Sequence, residues 1–158
     1  MTIRTATEDD WPAIWPFFRD TVAAGETYAY PADLTPEQGR DLWLSDPHVV
    51  VLEEDGAVLG TAKMGPNRPA GGAHIGTASF MVAPAARGRG VGEALVRQCE
   101  ERAAATGATR MWLSTLDEMG HAQRIYTRLG YHPEPARDWD PQPELLPDVH
   151  LRAWTKEL

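Results

Sequence analysis

The run Met81-Val82-Ala83-Pro84-Ala85-Ala86-Arg87-Gly88-Arg89-Gly90-Val91-Gly92-Glu93-Ala94-Leu95 holds the densest chemistry in the chain. Strand-like residues end, a proline-containing turn follows, and Gly88, Gly90 and Gly92 open a helical pattern. Glycine lets a backbone approach a ligand closely, and a helix N-terminus offers unpaired N–H groups at the positive end of the helix dipole. Together these make a cradle for phosphate. Arg87 and Arg89 add charge for further phosphates. Two familiar phosphate loops fail on spacing. Counted from Gly88, a dinucleotide fingerprint needs glycine where Glu93 stands, and no G-x-x-x-x-G-K-[ST] run occurs. The competing reading is a plain connector ahead of a core helix; the two arginines and the strand–turn–helix setting weigh against it.

The flanking sequence supplies the elements that must position this turn. Thr2–Thr7 alternates apolar and polar residues and suggests a first strand. Trp11, Ile14, Trp15, Phe18 and Val22 follow at helical spacing; Pro12 suits a first turn, whereas Pro16 implies a kink or break. Residues 24–34 suggest a loop. Thr35-Pro36-Glu37-Gln38 is a capping box with proline at the first helical position, and Asp46-Pro47 ends that helix. Val49–Glu53 and Ala57–Met64 form a hairpin about Asp55-Gly56, followed by a loop over Pro66–Gly72. Ala73–Val82 is a further strand, Gly90–Thr106 a helix with Val91, Ala94, Leu95 and Cys99 on one face, and Ala108–Thr115 another strand. Ala122–Leu129 is a helix closed by Gly130. A Pro-rich acidic stretch runs to Pro147, and Asp148–Thr155 alternates again. This order describes an α/β chain with a mixed sheet, antiparallel at its start and parallel near the glycine-rich turn.

Composition narrows the function classes. The 158 residues fit one domain, and 42% hydrophobic residues suffice for an ordinary core. Fifteen Lys plus Arg against 23 Asp plus Glu give a net charge of −8. That balance argues against a nucleic-acid binder, which needs a basic face, and favours cationic partners. One cysteine excludes an internal disulfide framework and a multi-cysteine zinc site. Cys99 shares its helix face with Val91 and Leu95 and suits a small core residue, while His121, His132 and His150 lack metal-ligand spacing, so no metal is expected. The longest aliphatic run, Val49–Leu52, is far short of the ~20 residues of a membrane span. No charged start leads into an apolar stretch, and the expected location is the cytoplasm.

The segment R-G-x-G-x-G after V-x-P resembles the pyrophosphate-binding motif of the Gcn5-related N-acetyltransferases, the GNAT superfamily. Ala122-x-x-x-Tyr126-x-x-x-Gly130-Tyr131 is similar to that family's A-x-x-x-Y-x-x-x-G-[FY] helix and follows at the family's separation. The opening Ile3-Arg4-x-Ala6-Thr7 and the closing alternation through Trp154 also fit, so the resemblance covers essentially the whole chain. It implies a single-domain GNAT fold over residues 1–158, with a mixed, mostly antiparallel sheet of about seven strands, splayed at an acetyl-CoA cleft, and about four helices. It implies that Ala73–Val82 and Ala108–Thr115 are the splayed strands. Main-chain contacts to the cofactor then come from Met81, Val82 and Ala83, with the Val82 N–H as donor to the acetyl carbonyl. The backbone of Arg87, Gly88, Arg89, Gly90, Val91, Gly92 and Glu93 would hold the pyrophosphate. Tyr126 matches the tyrosine near the CoA sulfur and shares a face with Ala122 and Leu129; a half-buried core aromatic is the alternative. Full proton transfer from a phenol of pKa ~10 to a thiolate of ~8.5 is uphill by ~2 kcal/mol, so hydrogen bonding to the leaving thiolate is the better role. Met119 departs from the pattern, because many members carry Asn there and a thioether cannot replace an amide. Gly120 and His121 are the neighbours that would have to compensate.

An acceptor amine must be neutral to attack, and a lysine-like amine of pKa ~10.4 costs ~4.6 kcal/mol to deprotonate at pH 7. The resemblance points to a base on the long central strand, where His74, Gly76 and Ala78 share a face and only His74 titrates near neutrality. Glu26, in the loop after the first helix, is the alternative base. Each has a plainer reading, as an exposed strand-start histidine and a solvated loop charge. Gly25-Glu26-Thr27-Tyr28-Ala29-Tyr30-Pro31 is rich in aromatics for a loop, and in this family that region shapes the acceptor pocket. Tyr28 and Tyr30 form either a cation–π wall for substrate or rings tucked onto the core. The loop is similar to that of small-molecule acetyltransferases of the phosphinothricin type.

The expected activity is therefore acetyl transfer from acetyl-CoA to a small amine, amino-acid-like or cationic, by direct attack in a ternary complex. The alternatives are a protein lysine or N-terminal acceptor, and a non-catalytic acetyl-CoA sensor. Neither nucleic acid nor membrane is an expected partner. A homodimer is consistent with the family, and Arg137–Pro141, around Trp139, is a lid, a dimer segment or a surface loop.

Overall fold

The computed structural model describes residues 1–25, 28, 30–46, 48–116, 119–134 and 151–158, apart from the side chains of residues 116 and 151. In chain order the strands are β1 (Thr2–Thr5), β2 (Val49–Glu54), β3 (Ala57–Pro66), β4 (Ile75–Val82), β5 (Arg110–Leu116), β6 (His132–Pro133) and β7 (Leu151–Glu157). The α-helices are α1 (Trp11–Ala23), α2 (Pro36–Leu44), α3 (Val91–Ala105) and α4 (Gly120–Arg128), with single 3-10 turns at Glu8–Asp10, Ala70–Gly72 and Pro84–Ala86. The seven strands form one open sheet in the order β1-β2-β3-β4-β5-β7-β6. Every neighbouring pair is antiparallel except β4 and β5.

Local chemistry accounts for most of these boundaries. Thr35 caps α2: its hydroxyl accepts from the Gln38 N–H at 3.2 Å, and the Gln38 side chain accepts from the Thr35 N–H at 2.9 Å. The β2–β3 turn places Asp55 and Gly56 at φ 51° and 79°, both left-handed, as a two-residue hairpin turn requires. Of the kink or break expected at Pro16, the break is absent. α1 runs through it, because burial of Trp11, Ile14, Phe17, Phe18 and Val22 outweighs the lost backbone bond and ring clash of an interior proline, together about 3 kcal/mol. β6, two residues long, was not signalled by the sequence.

Helices cover both faces of the sheet. On one face Phe18 and Trp43, each fully buried, pack with Trp11, Phe17, Val49, Val51 and Met81. On the other face α3 and α4 lay Val91, Leu95, Cys99, Ala103, Tyr126 and Leu129 against Ala62, Met64, Met111 and Leu113. Gly60 admits α3 to the sheet: a Cβ there would stand 2.8 Å from Val91 and 2.9 Å from the Met81 carbonyl.

The feature that matters for function is the β4–β5 junction. The parallel ladder consists of Ile75↔Arg110 and Gly76↔Met111 alone. Beyond it β4 stays paired with β3 through Val82, and β5 stays paired with β7 through Leu116. Each strand follows its outer neighbour, and the two inner edges part towards their C-terminal ends.

Candidate active site

The parting of β4 and β5 leaves an edge of β4 facing a wedge-shaped cleft. Alternate residues of a strand direct their backbone groups to opposite edges. The Ala83 N–H donates to the Leu59 carbonyl at 2.9 Å, on the β3 side. The Phe80 N–H points the other way, donating to the Tyr28 hydroxyl at 3.1 Å. Val82 shares the edge of Phe80, so its N–H and C=O face the cleft. Met81 and Ala83, also expected as main-chain contacts, have theirs towards β3; the Ala83 N–H is taken, and the Met81 side chain is buried.

The glycine-rich turn closes the wide end of the cleft. Gly88 and Gly90 have φ of 76° and 83°, with open space where a Cβ would be, so conformation is what requires glycine there. Gly90 is the N-cap of α3. The first helical bond runs from the Ala94 N–H to the Gly90 carbonyl at 3.0 Å, so the N–H groups of Val91, Gly92 and Glu93 have no helical acceptor. The Arg87 and Arg89 N–H groups make turn bonds to Pro84 and Ala86, at 3.3 and 3.4 Å. Gly92 sits between α4 and the end of β4: a Cβ would lie 3.4 Å from Ile125 and 3.8 Å from Val82.

The side chains sort the expected contacts. Arg89 is ion-paired with Glu54 at the end of β2, and that pairing holds the Glu54 carboxyl below its usual range. The Glu93 carboxylate is turned to Arg97 and Arg128, at 3.0 and 3.4 Å. Arg87 is exposed. His121, in the first turn of α4, is lowered in pKa by partial burial and by Arg87 and Arg124, so the three basic side chains lie within electrostatic reach of one another. Helical spacing from Gly120 to Arg124 was the available signal, and it carries no motif. Met119, where many relatives carry Asn, is the N-cap of α4 without a side-chain cap; its carbonyl accepts from Ala122 and Gln123 at 3.0 and 3.2 Å.

Two tyrosines enter from opposite walls. Tyr126, 6% exposed, packs its ring 5.5 Å from Tyr131 and 6.0 Å from Trp154. Burial, then the nearby Cys99 thiol, pushes its phenol upward. Cys99 is itself 1% exposed, and burial followed by Glu100 raises its thiol to about 12, so it is an inert core thiol. Tyr28 comes from the α1–α2 connection. Its hydroxyl donates to the Phe80 carbonyl at 2.9 Å as well as accepting from the Phe80 N–H. Tyr30 stacks on it at 5.5 Å and 10°, and Trp43 meets it edge-on at 6.0 Å. Burial foremost, then the Tyr126 and Tyr30 phenols, raises the Tyr28 phenol, so the two walls lie within electrostatic reach of one another.

The two expected bases fare differently. His74 is exposed, precedes β4, and has its Nδ1 3.0 Å from the Gly71 carbonyl. It lies at the closed end of the wedge, eight residues or about 26 Å of strand from Val82, and the structure does not bring it to Tyr126. The expected strand face does not include His74 because β4 begins at Ile75, two residues later than the expected Ala73. Glu26 lies outside the described residues, as does Arg137–Pro141. Among the described residues no cluster of His, Cys, Asp or Glu could hold a metal, and no helix is long and apolar enough to cross a membrane.

The strand wedge, the glycine-rich helix start and the buried tyrosine lie in one part of the fold, and comparison with known proteins gives its family. The model of the acetyltransferase (GNAT) family matches residues 9–131, and the chain belongs to that family. It is thus an N-acetyltransferase. A GCN5-related N-acetyltransferase from Kribbella flavida is 40% identical, with a TM-score of 0.84 over 99% of this chain and 97% of that one. The ribosomal-protein-alanine N-acetyltransferase of Brucella melitensis is 26% identical, with a TM-score of 0.83 over 100% of both chains. A phosphinothricin acetyltransferase from Sinorhizobium meliloti, solved in complex with acetyl-CoA, shares the fold at 20% identity and a TM-score of 0.80, over 99% of this chain and 88% of that one. No curated protein matches the sequence.

Proposed function

We propose that the chain transfers the acetyl group of acetyl-CoA to the amine of a small molecule by direct attack in a ternary complex. The observation that carries this reading is the free edge of β4 at Val82, opposite the wall that bears Tyr126 and next to the unpaired N–H groups of Val91, Gly92 and Glu93. The pyrophosphate sits on those N–H groups and on Gly88 and Gly90, with Arg87, His121 and Arg124 facing it. The Val82 N–H donates to the acetyl carbonyl and stabilises the oxyanion as the amine nitrogen bonds to the carbonyl carbon. The C–S bond then breaks and the sulfur leaves as thiolate. Tyr126, held neutral by burial, hydrogen-bonds the sulfur. The raised phenol makes complete proton donation still less favourable than the reference values imply.

The attacking amine must lose a proton. We assign that proton to Glu26, two residues before Tyr28 in the sequence, since His74 stands at the far end of β4. Tyr28 and Tyr30 wall the acceptor side with stacked rings, which suits a cationic amine. The net charge of −8 favours the same class.

A second reading has one observation in its favour: the full-length likeness to an enzyme named for acetylating the alanine terminus of a ribosomal protein. One assay separates the two. Release of CoA thiol from acetyl-CoA is followed at mildly alkaline pH over amino acids, polyamines, aminoglycosides, amino-phosphinates and alanine-initiated peptides. Turnover with one class of small amine supports the first reading, and turnover confined to peptides replaces it with the second. Acetyl-CoA binding without turnover on any acceptor points to a sensor.

A further inference from the structure

The cleft has an inner end, and one side chain closes it. Along the free edge of β4, Val82 lies beside the glycine-rich turn and Phe80 lies about 7 Å further in. The Tyr28 hydroxyl takes both backbone groups of Phe80, donating to its carbonyl at 2.9 Å and accepting from its N–H at 3.1 Å. It satisfies that edge as a neighbouring strand would. The ring is held from behind by Tyr30, stacked at 5.5 Å, and by the wholly buried Trp43, edge-on at 6.0 Å. Tyr28 and Phe80 are 52 residues apart in sequence, so this contact belongs to the tertiary fold.

We propose that Tyr28 is a specificity-determining residue that stops the acyl end of the donor and restricts the transferred group to acetyl. The proposal rests on the acyl-CoA reading above. A donor arm entering from the glycine-rich turn pairs with Val82 first. The next free pair on that edge, at Phe80, is already taken by Tyr28. The thioester therefore halts between the two, and acyl carbons beyond the second meet a phenol held between two rings. Accommodating them means overpacking the Tyr30–Tyr28–Trp43 stack or tearing two hydrogen bonds from Phe80.

Calorimetric titration of the full chain with CoA, acetyl-CoA and butyryl-CoA tests this without an acceptor. The wild-type chain binds butyryl-CoA at least about tenfold more weakly than acetyl-CoA, the size of effect two extra methylenes give at a closed pocket end. Tyr28→Ala removes the stop and brings the two esters to within about twofold. If circular dichroism shows that Tyr28→Ala does not fold, Tyr28→Leu, which keeps apolar filling against Trp43, narrows the gap instead. Equal binding of the two esters by the wild-type chain overturns the proposal, and so does an unchanged ratio in a folded Tyr28 variant. A wild-type chain that binds none of the three removes the acyl-CoA reading itself, a result distinct from binding all three alike.

Discussion

At the scale of single residues the proposed function turns on Tyr126, which is buried, and on His121, which lies within electrostatic reach of two arginines. Tyr126 is neutral and rigid, packed against Tyr131 and Trp154, so its phenol offers an O–H and little else. Tyr126→Phe keeps the packing and deletes that donor. Turnover falls by roughly 10²-fold, at the low end for a positioned proton-bearing group, while acetyl-CoA affinity stays within about twofold. Steady-state rates beside calorimetric affinities check this; a parallel loss of both would make Tyr126 a binding residue. His121 is lowered by partial burial and by Arg87 and Arg124, so the free protein holds its proton less readily than an ordinary imidazole. A bound phosphate favours the protonated ring and raises its pKa again. Binding therefore takes up a proton, and CoA affinity rises as pH falls from neutrality through the histidine range. His121→Gln removes that rise and leaves only the titration of the ligand's own phosphate. Identical pH profiles for the two proteins would contradict the placement.

At the scale of elements, the site depends on how closely α3 lies on the sheet. Gly60 sets that distance, since a Cβ there would meet Val91 at 2.8 Å and the Met81 carbonyl at 2.9 Å, and a backbone oxygen cannot turn aside. Gly60→Ala destabilises by about 1–3 kcal/mol. It also pushes the start of α3 away from Val82, so acetyl-CoA affinity falls along with the melting temperature. A melting loss without an affinity loss would uncouple the helix start from the donor site. Much of this framework was legible in the sequence because its causes are local. The Thr35–Gln38 capping box, the Asp55-Gly56 turn and the helical face of Val91, Leu95 and Cys99 each follow from a few adjacent residues. The glycine-rich turn was legible for the same reason. The Tyr28–Phe80 bonds were not, because they join residues brought together only by the fold. Nor was the grouping of Arg87 with His121 and Arg124, which needs α4 to dock beside the turn. Pro16 does not break α1 because tertiary packing overrode a local rule. His74 falls outside the strand because β4 begins two residues later than expected, which removes that side chain from the alternation.

At the scale of the molecule, an acidic protein must hold a polyanionic donor. Its net charge of −8 opposes CoA at long range, so on the proposed function affinity comes from close groups such as the helix-start N–H groups. Under the proposed function the same field favours a cationic acceptor. The sheet supplies the geometry for both, because β4 and β5 are each anchored to an outer neighbour and joined to each other at one end only. The wedge is therefore a built-in consequence of strand pairing and needs no opening motion.

That wedge is tested most directly by following backbone amides by NMR during titration with acetyl-CoA. The Val82 amide and those of Gly88, Gly90, Val91, Gly92 and Glu93 are predicted to shift together and saturate at one affinity, while the Ala83 amide, already bonded to Leu59, moves little. Saturable binding that leaves Val82 and the glycine-rich turn unmoved would contradict the account.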